Sequence, residues 1–511
     1  MPASNLAVPT QATPAFAFEE ADIASLQARM ANGSLSSRAL TQAYLDRIAA
    51  VDDAGPMLNA VIETNPDALQ DADALDAERR AGTLRGPLHG IPVLLKDNID
   101  ALPMVNSAGS LALANHHPTS DAFLVQRLRD AGAVILGKTN LSEWANFRST
   151  RSVSGWSSRG GQTKNAYVLD RNPCGSSAGT GTAIAASFAA VGVGTETDGS
   201  IICPSSVNGL VGLKPTVGLV SRNGIIPISV SQDTAGPMGR SVADVALLLG
   251  AMAAVDEADP AAHAAAGNIP PDYTGFLKAD ALKGKRFGLF RQTMGFHPDV
   301  DAAMDKAVAA IKAAGGEVVD VKIPTYNQWD KPEFEVLLYE FKDGLNTYLA
   351  KSGSANKSLD ALIAWNKAHA ADAMPIFGQE IFEQAQGKGP LTDAAYRKSR
   401  DDARRLAGAQ GLLAALDKDN LDALIAPSMA PAWPTDPVLG DHFLGAGYGI
   451  AAVAGTPSIT VPMGDVRGLP IGLAFLGRAY SEPELLGFAY AYEQATHLRK
   501  PPQYLPTLVV P

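Results

Sequence analysis

The sequence predicts an α/β fold in which one large domain accounts for nearly all of the 511 residues. Three observations support this prediction. Short β-rich runs bounded by glycine and proline alternate with stretches of helical periodicity. Hydrophobic residues make up 46% of the chain, which is enough for a large buried core. We find no internal repeat and no long linker, although the length alone is compatible with several domains.

The N-terminal part of the chain is predicted to be a tail followed by helices. Residues 1–20 begin with a segment rich in proline, alanine and threonine, and we expect a tail that precedes a domain spanning residues 21–511. Between residues 22 and 51, apolar residues recur at helical spacing, with a break at the segment NGSLS. This pattern predicts two amphipathic helices.

Strands and helices then alternate. The segment HGIPVLLKDNID at 89–100 contains a short apolar run, which is typical of a buried strand and ends at Lys96. Residues 121–140 indicate a helix, a glycine turn and a strand. Further on, the pattern predicts a loop, an alanine-rich helix near 182–190 and a strand at 190–195.

The region from about 250 to 420 has a different sequence pattern. Helical periodicity dominates in segments such as DAAMDKAVAAIKAAGG and DAAYRKSRDDARRLAG. Strand-like runs return at 421–428 and 455–464. We therefore predict a more helical region within the same domain.

Composition excludes several classes of partner. The formal net charge is −11 and no basic run resembles a phosphate-binding face, so we expect no nucleic acid partner. No uninterrupted apolar run reaches the roughly 18 residues that span a bilayer, so we expect no membrane partner. No cluster of His, Asp or Glu has metal-ligand spacing, and we predict neither a metal nor a cofactor.

The two cysteines and the N-terminus bear on the compartment. Cys174 and Cys203 are too few for a disulfide framework, and we expect buried free thiols. No signal peptide is visible, so a cytoplasmic location is the default expectation. A periplasmic or secreted location would apply if a signal had been removed.

A cluster of glycine and serine at 172–206 carries the main functional signal. A phosphate-binding loop would need a lysine at its end, and this segment has none. The segment GSSAG formally matches a nucleophile elbow with Ser177 as nucleophile. That motif requires a hydrophobic strand before it, whereas charged residues and a proline precede this one. The later histidines also lack a distinctive setting.

A third interpretation takes the cluster together with Lys96. The segments GIPVLLKDN at 90–98, CGSSAGTGTA at 174–183 and GTETDGSIICP at 194–204 resemble the motifs of the amidase signature family, in the same order. Ser176 and Ser200 lie 24 positions apart (200 − 176), as in that family. Similar segments, including GAVILGKTNLSEWANF, extend the resemblance over nearly the full chain.

The resemblance implies a fold and a set of catalytic residues. It implies a central mixed β-sheet covered by helices on both faces, with a signature core at about 86–245. It implies an amide hydrolase in which Ser200 is the nucleophile, Ser176 the bridging group and Lys96 the base. Lysine can accept a proton only when neutral, and burial in an apolar strand favours the neutral form. The peptide bond before Ser176 is expected to be cis.

The resemblance also implies an oxyanion hole. Its donors would be the backbone N–H groups of Thr197, Asp198 and Gly199, together with that of Ser200. Asp198 stands where the family more often has glycine, and Ile202 where it often has arginine. A carboxylate beside an oxyanion hole opposes the developing negative charge, so we expect the Asp198 side chain to point away.

Several segments, among them SEWANFR and SGWSSRGGQT, resemble those of bacterial peptide amidases. The expected substrate is therefore a small-molecule or peptide amide, above all the C-terminal amide of a peptide. The alternatives are a broad aryl or aliphatic amidase, a glutaminase like the amidotransferase A subunit, and a non-enzymatic binding protein. We expect a monomer or homodimer. Candidate substrate contacts are five aromatic residues in loop-like surroundings: Trp144, Phe147, Trp156, Trp433 and Tyr448.

Overall fold

The computed structural model describes residues 15–508. Residues 1–14 of the predicted tail lie outside this range. The remaining part of that segment packs on the domain, because the rings of Phe16 and Phe18 lie 5.7 and 6.3 Å from the ring of Tyr44. Among the described residues, no helix is both long enough and apolar enough to cross a membrane.

Eleven strands form one mixed sheet, and two short strands pair separately. The strands are β1 (Val61–Thr64), β2 (Pro92–Lys96), β3 (Val134–Thr139), β4 (Trp156–Ser157), β5 (Gly161–Gln162), β6 (Val191–Glu196), β7 (Val211–Lys214), β8 (Thr234–Gly239), β9 (Arg286–Phe290), β10 (Glu317–Val321), β11 (Ala423–Pro427), β12 (Ser458–Val466) and β13 (Leu469–Leu476). The order in the large sheet is β1-β3-β2-β6-β8-β7-β12-β13-β11-β9-β10.

The sheet is parallel in two places. Strand β2 runs parallel to β3 and β6, and β9 runs parallel to β10 and β11. The other pairs are antiparallel, including β6 with β8. Because parallel strands end at the same edge of a sheet, the carboxyl ends of β2 and β6 lie side by side. Functional side chains in an α/β fold are expected at such an edge.

The α-helices are α1 (Ile23–Ala31), α2 (Ser37–Val51), α3 (Ala68–Arg80), α4 (Phe123–Asp130), α5 (Ala178–Ala185), α6 (Ile202–Val207), α7 (Val242–Met252), α8 (Pro298–Ala313), α9 (Asp330–Lys351), α10 (Leu359–Ala368), α11 (Ala370–Ala373), α12 (Glu380–Gln386), α13 (Ala394–Arg404), α14 (Leu413–Lys418), α15 (Gly449–Ala454) and α16 (Glu482–Thr496). A π-helical turn joins α13 to α14 at Arg405–Leu412. Five 3-10 turns complete the set: Leu111–Leu113, Glu143–Asn146, Ala262–Ala265, Thr274–Phe276 and Arg291–Thr293. Helix α16 packs against α7, α8 and the strands β12 and β13, whereas α5 and α6 pack against each other and the sheet. The predicted α/β fold with a central mixed sheet and helices on both faces is confirmed.

Local sequence explains the predicted break near the N-terminus. The side chain of Asp22 accepts a hydrogen bond from the N–H of Ser25 and caps α1, and Ser36 caps α2 in the same way through the N–H of Ala39. Gly33 lies between them with φ of +77°, a conformation that glycine adopts without strain. The two predicted helices are therefore present.

The helix after the glycine and serine cluster begins earlier than predicted. It spans Ala178–Ala185 rather than residues 182–190. Its small residues allow close packing, since a Cβ on Gly179 would lie 2.3 Å from the carbonyl oxygens of Ala60 and Asn140. Glycine content weakened the helical signal in the sequence, but tertiary packing determines where this helix begins.

Two further differences concern the middle region and the cysteines. The region from 250 to 420 is not purely helical, because β9 and β10 lie within it and form one edge of the sheet. The expectation of free thiols was wrong, since Cys174 and Cys203 form a disulfide. The fold brings their Cα atoms to 6.0 Å, a proximity that sequence spacing did not reveal.

Candidate active site

Lys96 occupies the carboxyl end of β2 in the middle of the sheet. Its neighbour Leu95 is in register with Val193 of β6, so Lys96 lies beside the end of that strand. The side chain is fully buried. Its Nζ lies 2.7 Å from Ser176 Oγ, 2.9 Å from Thr195 Oγ1 and 3.1 Å from the Thr195 carbonyl oxygen. The lysine is therefore held by neutral oxygen atoms.

Burial governs the charge of this lysine. Removal from water lowers the pKa of Lys96 to about 7, against the opposing influence of the Glu196 and Asp233 carboxylates. Another buried lysine, Lys138 on β3, lies 3.2 Å from Asp97 Oδ1 in an ion pair. Lys96 has no ion-pair partner among residues 15–508. Of these two lysines, Lys96 is the one without a carboxylate in contact, and its lowered pKa allows the neutral form near pH 7.

Ser176 follows a cis peptide bond from Gly175, as the resemblance implied. It is fully buried, and its carbonyl accepts a hydrogen bond from the N–H of Ser142 at 3.1 Å. A Cβ on Gly175 would lie 2.1 Å from Ser142 Oγ, so this position has no room for a side chain. The hydroxyl of Ser176 is thereby fixed against Lys96.

Ser177 has a different environment. Its Oγ donates to the carbonyl of Thr195 at 3.0 Å and accepts from the N–H of the same residue at 3.2 Å. Both functions of the hydroxyl are thus used within the protein. This arrangement favours a structural role for Ser177 and weighs against the nucleophile-elbow interpretation.

Ser200 lies in the loop between β6 and α6. Its carbonyl accepts the N–H of Ser177 at 3.2 Å, and the disulfide between Cys174 and Cys203 joins the same two segments. Ser200 is 9% exposed, whereas Ser176 is fully buried. The structure therefore brings the loop of Ser200 against the segment of Ser176, and Ser200 is less deeply buried than Ser176.

A buried carboxylate shapes this loop. Glu196 Oε2 accepts the N–H groups of Ile201 and Ile202 at 2.7 and 2.9 Å. Its side chain is 1% exposed, and burial raises the pKa of Glu196 above its usual range. Ile202, at the position where the family often has arginine, is itself fully buried at the start of α6. Glu196 thus fixes the turn that carries Ser200.

The predicted oxyanion donors lie together in this turn, here called the oxyanion loop (residues 197–200). The N–H groups of Thr197, Asp198 and Ser200 have no hydrogen-bond acceptor among residues 15–508. The N–H of Gly199 interacts with the carboxylate of Glu196. Gly199 has φ of +80°, and a Cβ there would lie 2.2 Å from the ring of Tyr448. Glycine is therefore required at this position, both by conformation and by the neighbouring ring.

Asp198 points away from these N–H groups into a cavity of about 430 Å³, here called the acidic cavity. Its lining includes Asp198, Trp329, Asp330, Glu333, Phe334 and residues 446–450. Asp198 is exposed at the cavity, and the cavity is open to solvent. Partial removal from water raises the pKa of Asp198 above its usual range, and the charges of Glu196 and Asp330 add to the effect.

A second cavity of about 510 Å³ lies on the other side of the loop. Ser176, Thr195 and Thr197 line its inner end, and Asp343 and Lys351 lie among its other lining residues. The segment from Thr195 to Asp198 therefore separates two cavities, one at the bridging serine and one at Asp198.

The five candidate aromatic residues are not gathered at the loop. Phe147 packs on Phe341 at 5.1 Å between ring centroids, and Trp144 packs on Phe382 at 5.4 Å. Trp156 packs on Phe377 at 5.0 Å, and Trp433 packs on Phe443 at the same distance. Tyr448 alone of the five lines a cavity described above. Roles for the other four in substrate binding stay predictions.

Sequence reasoning missed four residues at the site. Thr195 accepts hydrogen bonds from both Lys96 and Asn98, Glu196 holds the oxyanion loop, and Glu333 lines the acidic cavity. Asn98 and Thr195 lie within the quoted motifs, so a hydrogen-bonding role for them could have been proposed. Glu333 lies in the least diagnostic part of the sequence, where no motif indicates it.

Comparison with known proteins agrees with this geometry. The sequence profile of the family described as Amidase matches residues 39–486. The structure of native peptide amidase from Stenotrophomonas maltophilia is 55% identical, with a TM-score of 0.91, over 96% of this chain and 99% of that chain. A protein of Arabidopsis thaliana named "Probable amidase" is 40% identical over 96% of this chain and 93% of its own length. The glutamyl-tRNA(Gln) amidotransferase A subunit of Halorhodospira halophila is 34% identical over 94% of this chain and 98% of its own.

These similarities span nearly the whole chain and include the strands and loops that carry Lys96, Ser176 and Ser200. The chain therefore belongs to the amidase signature family and is a hydrolase that acts on the carbon–nitrogen bond of amides.

Proposed function

We propose that the protein is a peptide amidase, which hydrolyses the C-terminal amide of a peptide to the free acid and ammonia through an acyl-enzyme on Ser200. One observation carries the proposal. Lys96 Nζ is 2.7 Å from Ser176 Oγ, in a segment bonded to the loop of Ser200. The 55% identity to a peptide amidase supports the choice of substrate.

In the first step, Ser200 attacks the amide carbonyl. A hydroxyl is a weak nucleophile until a base removes its proton. Ser176 accepts the proton of Ser200 while passing its own to the neutral Nζ of Lys96. The Ser200 Oγ–carbon bond forms, and the proton then returns through Ser176 to the amide nitrogen. The carbon–nitrogen bond breaks, and ammonia leaves.

In the second step, water hydrolyses the ester on Ser200. The same relay removes a proton from the water as its oxygen attacks the ester carbon. Ser200 Oγ leaves and takes that proton, so the free acid and the starting enzyme result. A serine that both donates and accepts hydrogen bonds can transfer protons in either direction.

Negative charge develops on the carbonyl oxygen in both steps. The unpaired N–H groups of Thr197, Asp198 and Ser200 are placed to receive it, and that of Gly199 is a further candidate. Donors fixed by the fold stabilise this charge without reorganising. Loss of one such donor costs about 3–4 kcal/mol of transition-state stabilisation in a serine protease with an unrelated fold.

A substrate comparison tests the proposal. Purified enzyme is incubated with an N-acetyl dipeptide amide, an aryl amide and free glutamine, and the release of ammonia or amine is measured. We expect the peptide amide to react with the highest kcat/KM. Release from glutamine alone would instead favour the second candidate, a glutaminase, which the 34% identity to the amidotransferase chain supports.

Two serine variants separate catalysis from folding. Ser200→Ala should lower kcat by about 10⁴-fold or more, because the acyl-enzyme can no longer form. Ser206→Ala is the matched control, since this serine lies in the same segment and its buried Oγ has no partner among residues 15–508. A Ser200→Ala enzyme with the kcat of the control would refute the proposed nucleophile.

A further inference from the structure

We propose that the acidic cavity binds a cationic group of the substrate, an ammonium or guanidinium carried by the peptide amide. This inference rests on the proposed function, because it concerns which peptide amides the enzyme prefers. It gives a role to Asp198, which departs from the family pattern and takes no part in the proton relay.

The charged side chains that line the acidic cavity are all acidic. Three carboxylates line it, from Asp198, Asp330 and Glu333, and no Lys, Arg or His is among its described lining residues. Glu333 is buried, whereas Asp198 and Asp330 are exposed at the opening, and a buried carboxylate is stabilised when a cation pairs with it. Burial raises the pKa of Glu333 well above its usual range, and the charge of Asp198 adds to this. A bound cation would offset the repulsion between the carboxylates of Glu333 and Asp198.

The carboxylates also have free hydrogen-bonding capacity. Glu333 is 7% exposed, and its Oε1 accepts from Gln232 Nε2 at 2.8 Å. Its Oε2 has no partner among the described residues, and neither oxygen of Asp198 has one. A Cβ on Gly449 would lie 3.6 Å from Asp198 Oδ1, so that carboxylate lies beside Gly449 in the cavity wall. Ammonium and guanidinium groups supply only donors, so they match these acceptors.

Aromatic rings form the rest of the wall. Trp329, Phe334 and Tyr448 line the same cavity. The faces of such rings attract a cation, and Trp attracts it most strongly. The cavity thus combines carboxylates with aromatic ring faces, and both are common means of recognising an organic cation.

The location suits a group attached close to the reacting amide. Asp198 and Ser200 are two residues apart, so their Cα atoms are at most about 7 Å from each other. The ring of Tyr448 packs against Gly199 between them. The distance from Ser200 to Asp198 is therefore short enough to be spanned either by the side chain of the substrate's last residue or by a free α-amino group.

Helix capping alone does not explain the cluster. Asp330 and Glu333 belong to the first turn of α9, where acidic residues are favourable. Asp198 comes from a different element, after β6, and its carboxylate caps no helix in the described structure. Its presence beside two other carboxylates is unfavourable unless a positive group joins them.

Binding to the inactive Ser200→Ala protein tests the inference directly. N-acetyl-leucyl-arginine amide and its citrulline counterpart are compared by calorimetry, because citrulline has nearly the same shape without the charge. Phenylalanine amide is compared with its N-acetyl form in the same way. We expect tighter binding of the cationic member in at least one pair, by about 10- to 100-fold. The pair that shows the preference identifies the source of the cation.

Further substitutions in that background assign the preference to the cavity. Glu333→Gln should bring the affinity ratio close to one, and Asp198→Asn should do the same if Glu333→Gln does not fold. Glu335→Gln is the matched control, since Glu335 lies on the same helix and pairs with Lys388. Ratios near one in both pairs of ligands, or ratios unchanged in both cavity variants, would overturn the inference. Hydrolysis of the citrulline amide by the unmodified enzyme tests the proposed function separately, because that substrate carries no cation.

Discussion

Lys96 is the residue on which the proposed chemistry depends most. Its Nζ contacts Ser176 and Thr195, and burial lowers its pKa to about 7. A buried ammonium would have no carboxylate in contact with it, only neutral oxygen atoms and the more distant charges of Glu196 and Asp233. The lysine is therefore able to accept and release a proton in the range where the enzyme would operate.

The pKa of Lys96 predicts how the activity depends on pH. Lys96 must be neutral to accept a proton, so kcat/KM for an uncharged peptide amide should rise about tenfold per pH unit below pH 7 and level off above it. The measurement covers pH 5 to 9 at constant ionic strength. Lys96→Gln should retain little activity and lose this dependence. Full activity of the unmodified enzyme at pH 5 would contradict a lysine base.

The sequence predicted some residues of the site better than others. Lys96, Ser176 and Ser200 lie in motifs with fixed spacing, so their proximity could be expected from the sequence alone. The direction of the Asp198 side chain could be expected only in part, because it depends on Gly449, Trp329 and Glu333, which are distant in the sequence. Such long-range contacts leave no periodic or local signal.

At the scale of elements, the disulfide joins the segment before α5 to the start of α6. Cys174 is two residues before Ser176, and Cys203 is three residues after Ser200. The sequence separation of 29 residues means that the bond closes a loop of moderate length in the unfolded chain. Such closure contributes about 2–4 kcal/mol to the free energy of unfolding.

Reduction should therefore lower stability and disturb the site. Because the chain has only two cysteines, a reductant such as TCEP acts on this bond alone. We expect a lower melting temperature and a lower kcat in the reductant. A variant with both cysteines replaced by serine should show the same changes and no response to TCEP. Identical melting temperatures with and without TCEP, after thiol titration confirms reduction, would exclude a stabilising role.

Elements with strong local patterns were mostly predicted correctly, whereas two strands completed by long-range pairing were missed. Strand β2 ends at Lys96 as expected, because its apolar run is bounded by a proline and by charged residues. Strands β9 and β10 were missed because they are short and lie beside helices with strong periodicity. The partly exposed β10 pairs with β9, and β9 pairs with β11 more than one hundred residues later.

The whole molecule contains many buried carboxyl groups outside the site. Burial raises the pKa of Asp52 and of Glu493 to about 7 and that of Asp244 to about 6. Each accepts a backbone hydrogen bond, as Asp52 does from the N–H of Ala60 at 2.7 Å. Between about pH 4 and 7, the folded protein therefore binds protons that the unfolded chain has released.

These raised carboxyl pKa values make the free energy of unfolding depend on pH. A raised pKa in the folded state contributes stability that is fully present below the unfolded pKa and is lost as the pH rises through the folded pKa. The free energy of unfolding should thus decrease from pH 5 to pH 7.5, and the net charge of −11 acts in the same direction. Calorimetric melting at constant ionic strength measures this. Asp52→Asn should reduce the slope, whereas a melting temperature that rises over this range would contradict the assignment.

The proposed nucleophile is tested most directly by locating the covalent adduct. A fluorophosphonate that reacts with activated serines is incubated with the protein, and peptide mapping by mass spectrometry identifies the modified residue. We predict a single adduct on Ser200, formed much more slowly in Lys96→Gln. An adduct on Ser177 would contradict the proposed Lys96–Ser176–Ser200 triad, and so would labelling of Ser200 at an unchanged rate without Lys96.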